Sequence, residues 1–353
     1  MKSKMSVILL MAFLVLGVSL IVHGPRNVLA QPIELRLATF APQGEGDLAV
    51  GIPWYADELE KRTNGRVKIK IFWSGSLAKS LELPRAVRSG MADMATVIES
   101  YHPELFPYSS SAGQAALILA GADLGDWRIP YRKLMDQFPE VRDAYKKQNQ
   151  KMLVFWENDR ISIISNRPIR NFAEAKGIKI RTSGEYVPRM FKAGGFNPIS
   201  IPAAEAYDAA GRSMVEAIHS YPDTALKYRF YEVCKYWTET PIFGTHISYI
   251  LTINLDTWNK LPPDVQNVMV KLGDELTDAF PDITRQFRDK FQKTFKEVGG
   301  TSFTFSEGEM KEWKSRIQKD NMEYYLQKME AKGAPRVREI VYRFAELMNY
   351  KWQ

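Results

Sequence analysis

Two arginines, Arg160 and Arg181, are the residues whose type and position best suit a chemical role. Each lies at the end of an extended segment, and both precede the phrase Pro-Ala-Ala-Glu-Ala-Tyr at residues 202–207. A guanidinium group carries rigid, bidentate and permanently charged donors that match the planar shape of a carboxylate. The two side chains together therefore predict a pocket that captures a carboxylate.

The positions of the two arginines also allow ordinary structural roles. Arg181 ends a predicted strand, Ile178–Arg181, and ligands of open α/β sheets bind beyond the carboxyl ends of strands. The alternative for Arg181 is a solvated face or a structural ion pair, which are common roles of charged side chains. Arg160 lies at a loop-to-strand junction, and its alternative is a salt bridge to Asp159 or Glu157. The pattern alone leaves both alternatives open.

Other candidate site residues are aromatic or titratable side chains near predicted strand ends. Phe40, Trp156 and Tyr221 are aromatic, and core packing is the default explanation for each because large aromatics fill protein interiors. Glu99 and His219 are titratable groups near apolar segments. A satisfied structural group is commoner there than a ligand contact.

Sequence motifs for catalysis and for metal binding are absent from the chain. It contains no P-loop, no G-x-G-x-x-G, no G-x-S-x-G and no H-E-x-x-H pair among its four histidines. We therefore predict no metal site built on Cys or His, and no cofactor. A dispersed triad or a carboxylate dyad stays open, because such partners need not be close in sequence.

The first 30 residues have the layout of a cleaved secretory signal. Lys2 and Lys4 precede an apolar run at 7–22, and residues 28–30 supply a cleavage site. The run is shorter than the roughly 20 residues that span a bilayer, so an uncleaved anchor is the weaker alternative. We predict a mature chain that begins at Gln31 and lies outside the cytoplasm.

Charge and cysteine content restrict the remaining function classes. Cleavage removes Lys2, Lys4 and Arg26 and lowers the formal net charge from +7 to +4. The remaining basic residues are dispersed among acids, which argues against a nucleic-acid partner. Cys234 is the only cysteine of the chain, so no intrachain disulfide can form.

Alternating strand and helix patterns predict an α/β protein. Strands are predicted at 33–37, 67–71, 93–97 and 178–182. Helical patterns between them predict parallel sheets flanked by helices, and the length of the mature chain suits two compact lobes. An apolar periodicity at 264–298, kinked or interrupted at Pro281, predicts a long helix that bridges the lobes.

Several phrases of the chain resemble the periplasmic solute-binding proteins of TRAP transporters, the DctP-type family. The most specific phrases are GIKIRT at 177–182, AGG at 193–195, PAAEAY at 202–207, GRSMVEA at 211–217 and FYEV at 230–233. Shorter matches occur at 74–82, 90–94 and 254–266. The resemblance covers nearly all of the mature chain.

The resemblance implies a role for each candidate residue. Arg181 matches the arginine that holds the substrate carboxylate, and Arg160 matches a second arginine that assists it. The other residues that the resemblance places at the cleft or pocket are Glu99, His219, Ser220, Tyr221, Phe40 and Trp156. At 215–217 the chain has Val-Glu-Ala where relatives often have Val-Asp-Gly, and the added bulk changes a turn that lines the cleft.

The resemblance also implies a fold, a function and partners. Two α/β lobes, joined by crossing strands and a long bridging helix, close around the ligand. The first lobe would comprise 31–157 plus 246–285, and the second would comprise 158–245 plus 286–353 with the C-terminal helices. Such a periplasmic receptor captures a small organic acid, performs no chemistry, and delivers the acid to the small and large membrane subunits of the transporter.

Two other functions stay open at this point. The chain could serve an ABC permease or a sensor kinase instead of a TRAP permease. It could also be a periplasmic enzyme that uses Glu99 or His219 as a general base on a carboxylic acid. A sialic acid is not predicted, because the match at 76–82 lacks the acidic residues of sialic-acid binders.

Overall fold

The computed structural model describes residues 31–119, 127–184, 186–240 and 246–350. The predicted signal segment, residues 1–30, lies outside the described residues. Within the described ranges, no helix combines the length and apolar character needed to span a bilayer.

The described chain alternates strands with helices. The strands are β1 (Ile33–Ala38), β2 (Val67–Phe72), β3 (Met94–Ile98), β4 (Gln150–Asn158), β5 (Ser162–Ser165), β6 (Lys179–Thr182), β7 (Asn197–Ser200), β8 (Ala217–Ser220), β9 (Tyr236–Glu239), β10 (His246–Asn254) and β11 (Thr301–Thr304). The helices are α1 (Asp47–Arg62), α2 (Leu83–Arg88), α3 (Pro107–Leu119), α4 (Arg128–Gln137), α5 (Pro139–Lys147), α6 (Phe172–Ala175), α7 (Tyr186–Ala193), α8 (Ala206–Gly211), α9 (Pro222–Lys227), α10 (Leu255–Lys260), α11 (Pro263–Glu297), α12 (Glu307–Ala331) and α13 (Val337–Leu347).

The strands form two sheets, as an α/β fold with two lobes requires. The first has the order β2-β1-β3-β10-β4 and the second has the order β11-β9-β5-β8-β6-β7. Both sheets are mixed, and the prediction of parallel sheets is wrong for β10 and β5. Strand β10 is antiparallel to β3 and β4, and β5 is antiparallel to β8 and β9. The chain crosses from one sheet to the other between β4 and β5 and returns between β9 and β10, which reverses the direction of β5 and β10 relative to these neighbours.

The long helix α11 spans both halves of the molecule. It packs on α1 and β4 beside the first sheet and on α9 beside the second. It approaches β4 closely at Gly273, where a Cβ atom would lie 2.2 Å from the Leu153 carbonyl oxygen. The helix continues through Pro281 without the predicted interruption. Its apolar side chains join two separate cores, with Phe280 in one and Phe291 in the other.

The C-terminal helices contact both halves. Helix α12 packs on α7 of the second half, whereas α13 packs on α3 and α4 of the first. The predicted division placed 286–353 with the second lobe, so α13 lies against the lobe to which it was not assigned. The exact lobe boundaries stay a prediction.

Candidate functional site

Arg181 lies inside the molecule near the carboxyl end of β6. Strand β6 is parallel to β7 and β8, and Arg181 pairs in register with Ile199 and Ile218. Its side chain turns inward, and the residue is only 3% exposed. Arg181 therefore lies near a strand end, as the sequence predicts. It does not lie on the solvated face that was considered as an alternative.

Three protein oxygens accept hydrogen bonds from the Arg181 guanidinium. Its Nε donates to the Ile201 carbonyl at 2.7 Å, and its Nη1 donates to the His219 carbonyl at 3.3 Å. Its Nη2 donates to the Tyr101 hydroxyl at 3.2 Å. A guanidinium has five N–H donors, so these bonds leave one donor on each terminal nitrogen. Such a pair of donors is suited to the two oxygens of a carboxylate.

No carboxylate compensates the charge of Arg181 among the described residues. Every ion pair of the described residues with an N···O distance within 4.0 Å involves other side chains. Burial of a cation costs several kcal/mol unless an anion compensates it. The buried guanidinium therefore has the position, the donors and the uncompensated charge of an anion site.

A cavity beside Arg181 lies between the two sheets. The space in and at the mouth of this cavity that protein atoms do not occupy is about 440 Å³, which includes open solvent. The lining residues on the side of the first sheet are Ile98, Ser100, Tyr101, Gln114 and Tyr249, those on the side of the second are Arg181, Ser183, Val187, Ala203, His219, Tyr221 and Thr224, and Asn158 lies at the crossing. Arg181 is the only Lys, Arg, Asp or Glu among these lining residues.

Tyr101 closes one side of the cavity, and the sequence did not single it out. Its hydroxyl accepts from Arg181 Nη2 and, at 3.3 Å, from the backbone N–H of Ala203. It thus links the turn after β3 to the second half of the chain, and its own O–H remains a donor. The rule that ligands bind beyond strand ends applies to β3 as well as to β6, so it could have identified Tyr101.

His219 and Tyr221 lie together at the cavity. Both are nearly fully buried, and His219 Nε2 lies 3.2 Å from the Tyr221 hydroxyl. Burial raises the pKa of Tyr221 well above its ordinary value, so the phenol stays protonated at neutral pH. Ser220 lies between them in β8, but its hydroxyl donates to the Tyr221 carbonyl and does not line the cavity.

Arg160 lines a different cavity from Arg181. This second cavity is bordered by Asp159, Trp237 and Arg288. Asp159 accepts from the Arg160 backbone N–H at 2.6 Å and forms a bidentate pair with Arg288, also at 2.6 Å. The structure therefore does not bring the two predicted arginines to one site. Arg288, which the sequence did not identify, forms the bidentate side-chain pair with Asp159.

Glu99 is buried behind the cavity and does not line it. The residue is 1% exposed, and the Tyr145 hydroxyl donates a hydrogen bond to its carboxyl group. Burial raises the pKa of Glu99 to about 8, so the group is largely neutral at pH 7. A buried neutral acid that bonds a tyrosine has the structural role that was the default for this position.

Phe40 and Trp156 support a wall of the cavity from behind. Their rings lie 5.5 Å and 5.7 Å from that of Tyr249, which lines the cavity. Trp156 also stacks on Phe280 of α11 with a ring separation of 4.7 Å. Neither residue lines the cavity, so core packing, the default explanation, describes both.

A second buried cation, Lys227, lies at the end of α9. Its Nζ is 3.0 Å from Asp47 at the start of α1 and 3.4 Å from Asp223 on its own helix. The three side chains are completely buried. Burial, and then the neighbouring Asp47, raise the pKa of Asp223 to about 7. Among the described residues, no group of three or more His, Cys, Asp or Glu could hold a metal ion.

Known proteins share this architecture. The 2,3-diketo-L-gulonate-binding periplasmic protein of Escherichia coli is 25% identical over 251 residues, which cover 69% of this chain and 73% of that protein. A TRAP periplasmic solute-binding protein from Desulfovibrio salexigens, solved with bound orotic acid, has a TM-score of 0.77 at 21% identity and covers 90% of this chain and 98% of its own. One from Rhodoferax ferrireducens, solved with bound malonate, has a TM-score of 0.76 at 19% identity and covers 89% and 98%.

These likenesses confirm the predicted two-lobed α/β fold. Residues 51–328, most of the chain, match the family described as bacterial extracellular solute-binding protein, family 7, or DctP. The resemblance noted in the sequence is thereby confirmed. The chain belongs to the DctP family of bacterial extracellular solute-binding proteins.

Proposed function

We propose that this protein is the periplasmic receptor of a TRAP transporter and captures a small organic acid in the cavity between its two sheets. It then delivers the acid to the small and large membrane subunits of the transporter. Residues 1–30 serve as the export signal, which is cleaved near Ala30. The family is one of solute-binding proteins, not of enzymes. The names of relatives that bind diketogulonate, orotate and malonate support a carboxylate ligand.

The observation that carries this proposal is the buried, uncompensated charge of Arg181. The two remaining N–H donors of Arg181 bind the carboxylate. The carboxylate then supplies the negative charge that balances the guanidinium. The Tyr101 hydroxyl already accepts two hydrogen bonds, so its proton is available to the same carboxylate. His219 and Tyr221 add polar contacts on the side of the second sheet.

Contacts from both halves make closure depend on the ligand. Tyr101 follows β3 of the first sheet, and Arg181 lies in β6 of the second. An acid that bonds both residues interacts fully only when the halves are together, so it favours the closed form. The crossing between β4 and β5 acts as a hinge in this proposal.

The test begins with a thermal-shift screen of organic acids against the mature chain, because a ligand that binds only the folded state raises the melting temperature. Calorimetry then measures the best acid with Arg181→Met. Removal of one partner of a buried charge pair costs about 3–5 kcal/mol, so the dissociation constant should rise at least about 100-fold.

The matched control is Arg212→Met, which removes an exposed arginine from the same half of the chain. Its dissociation constant should equal that of the unmodified protein. An unchanged dissociation constant in Arg181→Met would refute the anchor role. Turnover of any acid by the purified protein would revive the enzymatic alternative.

A further inference from the structure

A second chamber adjoins the Arg181 cavity on its outer side. It is open to solvent on one side and shares Ser100, Tyr101 and Ser183 with the inner cavity. The two spaces therefore meet at Tyr101, and a ligand held by Arg181 that is too long for the inner cavity must extend into the outer chamber. The chemistry of the outer chamber then selects the distal part of the acid.

The walls of the outer chamber are largely apolar. Leu81, Pro103, Ile201 and Pro202 supply its apolar surface. Leu81 is 53% exposed, so its apolar surface is available for contact with a ligand in the chamber. An apolar group of the ligand would remove this surface from water, which is favourable.

The charges of the two chambers are arranged for one carboxylate. Among the described residues, Arg181 is the only Lys, Arg, Asp or Glu that lines the inner cavity, and Glu104 is the only one that lines the outer chamber. The other nearby cations are committed elsewhere, since Lys227 lies between two carboxylates and Arg160 lines a separate cavity. A second carboxylate would therefore meet apolar side chains, serine hydroxyls and Glu104, and the described residues that line the outer chamber include no cation.

We infer that the acid carries a single carboxylate, held by Arg181, and an uncharged, mainly apolar remainder that passes Tyr101 into the outer chamber. This inference rests on the proposed function and narrows its ligand class. Desolvation of a second, unpaired carboxylate would oppose binding of a dicarboxylate. A polyhydroxylated remainder would lose hydrogen bonds to water where it contacts the side chains of Leu81, Pro103, Ile201 and Pro202.

Three six-carbon acids test the inference by calorimetry on the mature protein. Hexanoate has one carboxylate and an apolar chain, adipate has a second carboxylate, and gluconate has a hydroxylated chain. Hexanoate should bind at least about tenfold more tightly than either, which corresponds to about 1.4 kcal/mol. Tighter or equal binding of adipate or of gluconate would overturn the inference. So would failure of all three to bind while another organic acid binds.

A substitution at the outer chamber sharpens the test. Leu81→Arg places a cation on an exposed side chain, and Leu81→Gln is the matched control that removes the same apolar group without adding charge. Relative to Leu81→Gln, Leu81→Arg should tighten adipate binding at least about fivefold and leave hexanoate within about twofold. An equal effect on both acids would contradict a chamber that selects by charge.

The inference and the proposed function can fail separately. If adipate binds best and Arg181→Met abolishes that binding, the receptor function stands and the single-carboxylate inference fails. If acids bind equally well to Arg181→Met, the proposed site itself is wrong.

Discussion

Arg181 and Lys227 are both buried cations between the two sheets, but the chain surrounds them with different partners. Lys227 has two carboxylates, Asp47 at 3.0 Å and Asp223 at 3.4 Å. Arg181 has two backbone carbonyls and one hydroxyl, and a cavity lies beside it. Burial of a cation costs a similar free energy at either position.

The difference separates a structural charge from a binding charge. The Asp47–Lys227 pair joins α1 to α9 from opposite halves of the chain, and the backbone is shaped to admit it. Gly46 has φ +108°, and a Cβ atom there would lie 2.7 Å from the Lys227 Cε. Lys227 therefore has its counter-charges within the protein, whereas in the proposed function a ligand supplies the counter-charge of Arg181.

Among the substitutions, Lys227→Met should have the largest effect on stability. This substitution leaves Asp47 and Asp223 buried beside each other without a cation, which costs about 3–5 kcal/mol of unfolding free energy. Urea denaturation measures the loss. Arg181→Met should lose only about 1 kcal/mol, because water in the cavity can bond the three acceptors it leaves. Equal losses in the two variants would remove the distinction between the two cations.

Stability should also fall as the pH rises from about 5 to about 8. Burial raises the pKa of Asp223 from 3.8 to about 7 and that of Glu99 from 4.5 to about 8. Between these values the folded chain binds more protons than the unfolded chain, so unfolding becomes easier as protons are removed. The two groups together should lose on the order of 6 kcal/mol of unfolding free energy over this interval, since one pKa unit corresponds to about 1.4 kcal/mol.

Urea denaturation at several pH values checks this dependence. Asp223→Asn should reduce the decrease in unfolding free energy below about pH 7. Glu99→Gln should reduce the decrease that continues to about pH 8. Stability that rises over this interval would show that both groups are ionised in the folded protein.

Tyr101→Phe should weaken acid binding about tenfold without changing the charge of the cavity. The substitution removes the O–H that we expect to donate to the ligand carboxylate, and a hydrogen bond to a charged group contributes about 1.5–3 kcal/mol. Calorimetry measures the change, and Tyr249→Phe, at another wall of the same cavity, is the comparison variant. Tighter binding by Tyr101→Phe would mean that the acid displaces the Tyr101 hydroxyl from Arg181.

The smallest expected effect is that of Arg160→Ala on acid binding. Because Arg160 lines a separate cavity, the dissociation constant should change less than about threefold, or about 0.7 kcal/mol. A loss of tenfold or more would show that Arg160 reaches the ligand in the complex, as the family resemblance implied.

The sequence predicted local features of the fold better than the relations between distant segments. Alternating apolar residues located β1 and β2, and the strand-end rule placed Arg181 at the cavity. The directions of β5 and β10 depend on where the chain crosses between the sheets, which periodicity does not reveal.

The same limit explains why the contacts of the candidate site residues could not be predicted. Nothing near Asp159 in the sequence shows that Arg288, 129 residues later, is its partner. Glu99 and Tyr101 are two positions apart, but only their tertiary surroundings make one a buried acid and the other a wall of the cavity. Types of residue and strand ends are readable from sequence, whereas the choice of partner is set by packing.

The most direct test of the account is a crystal structure of the protein with its acid bound. We predict carboxylate oxygens about 2.7–2.9 Å from both terminal nitrogens of Arg181, with the Lys227 pairs unchanged. A carboxylate bound in the Arg160 cavity, with Arg181 contacting only Ile201, His219 and Tyr101, would contradict the account.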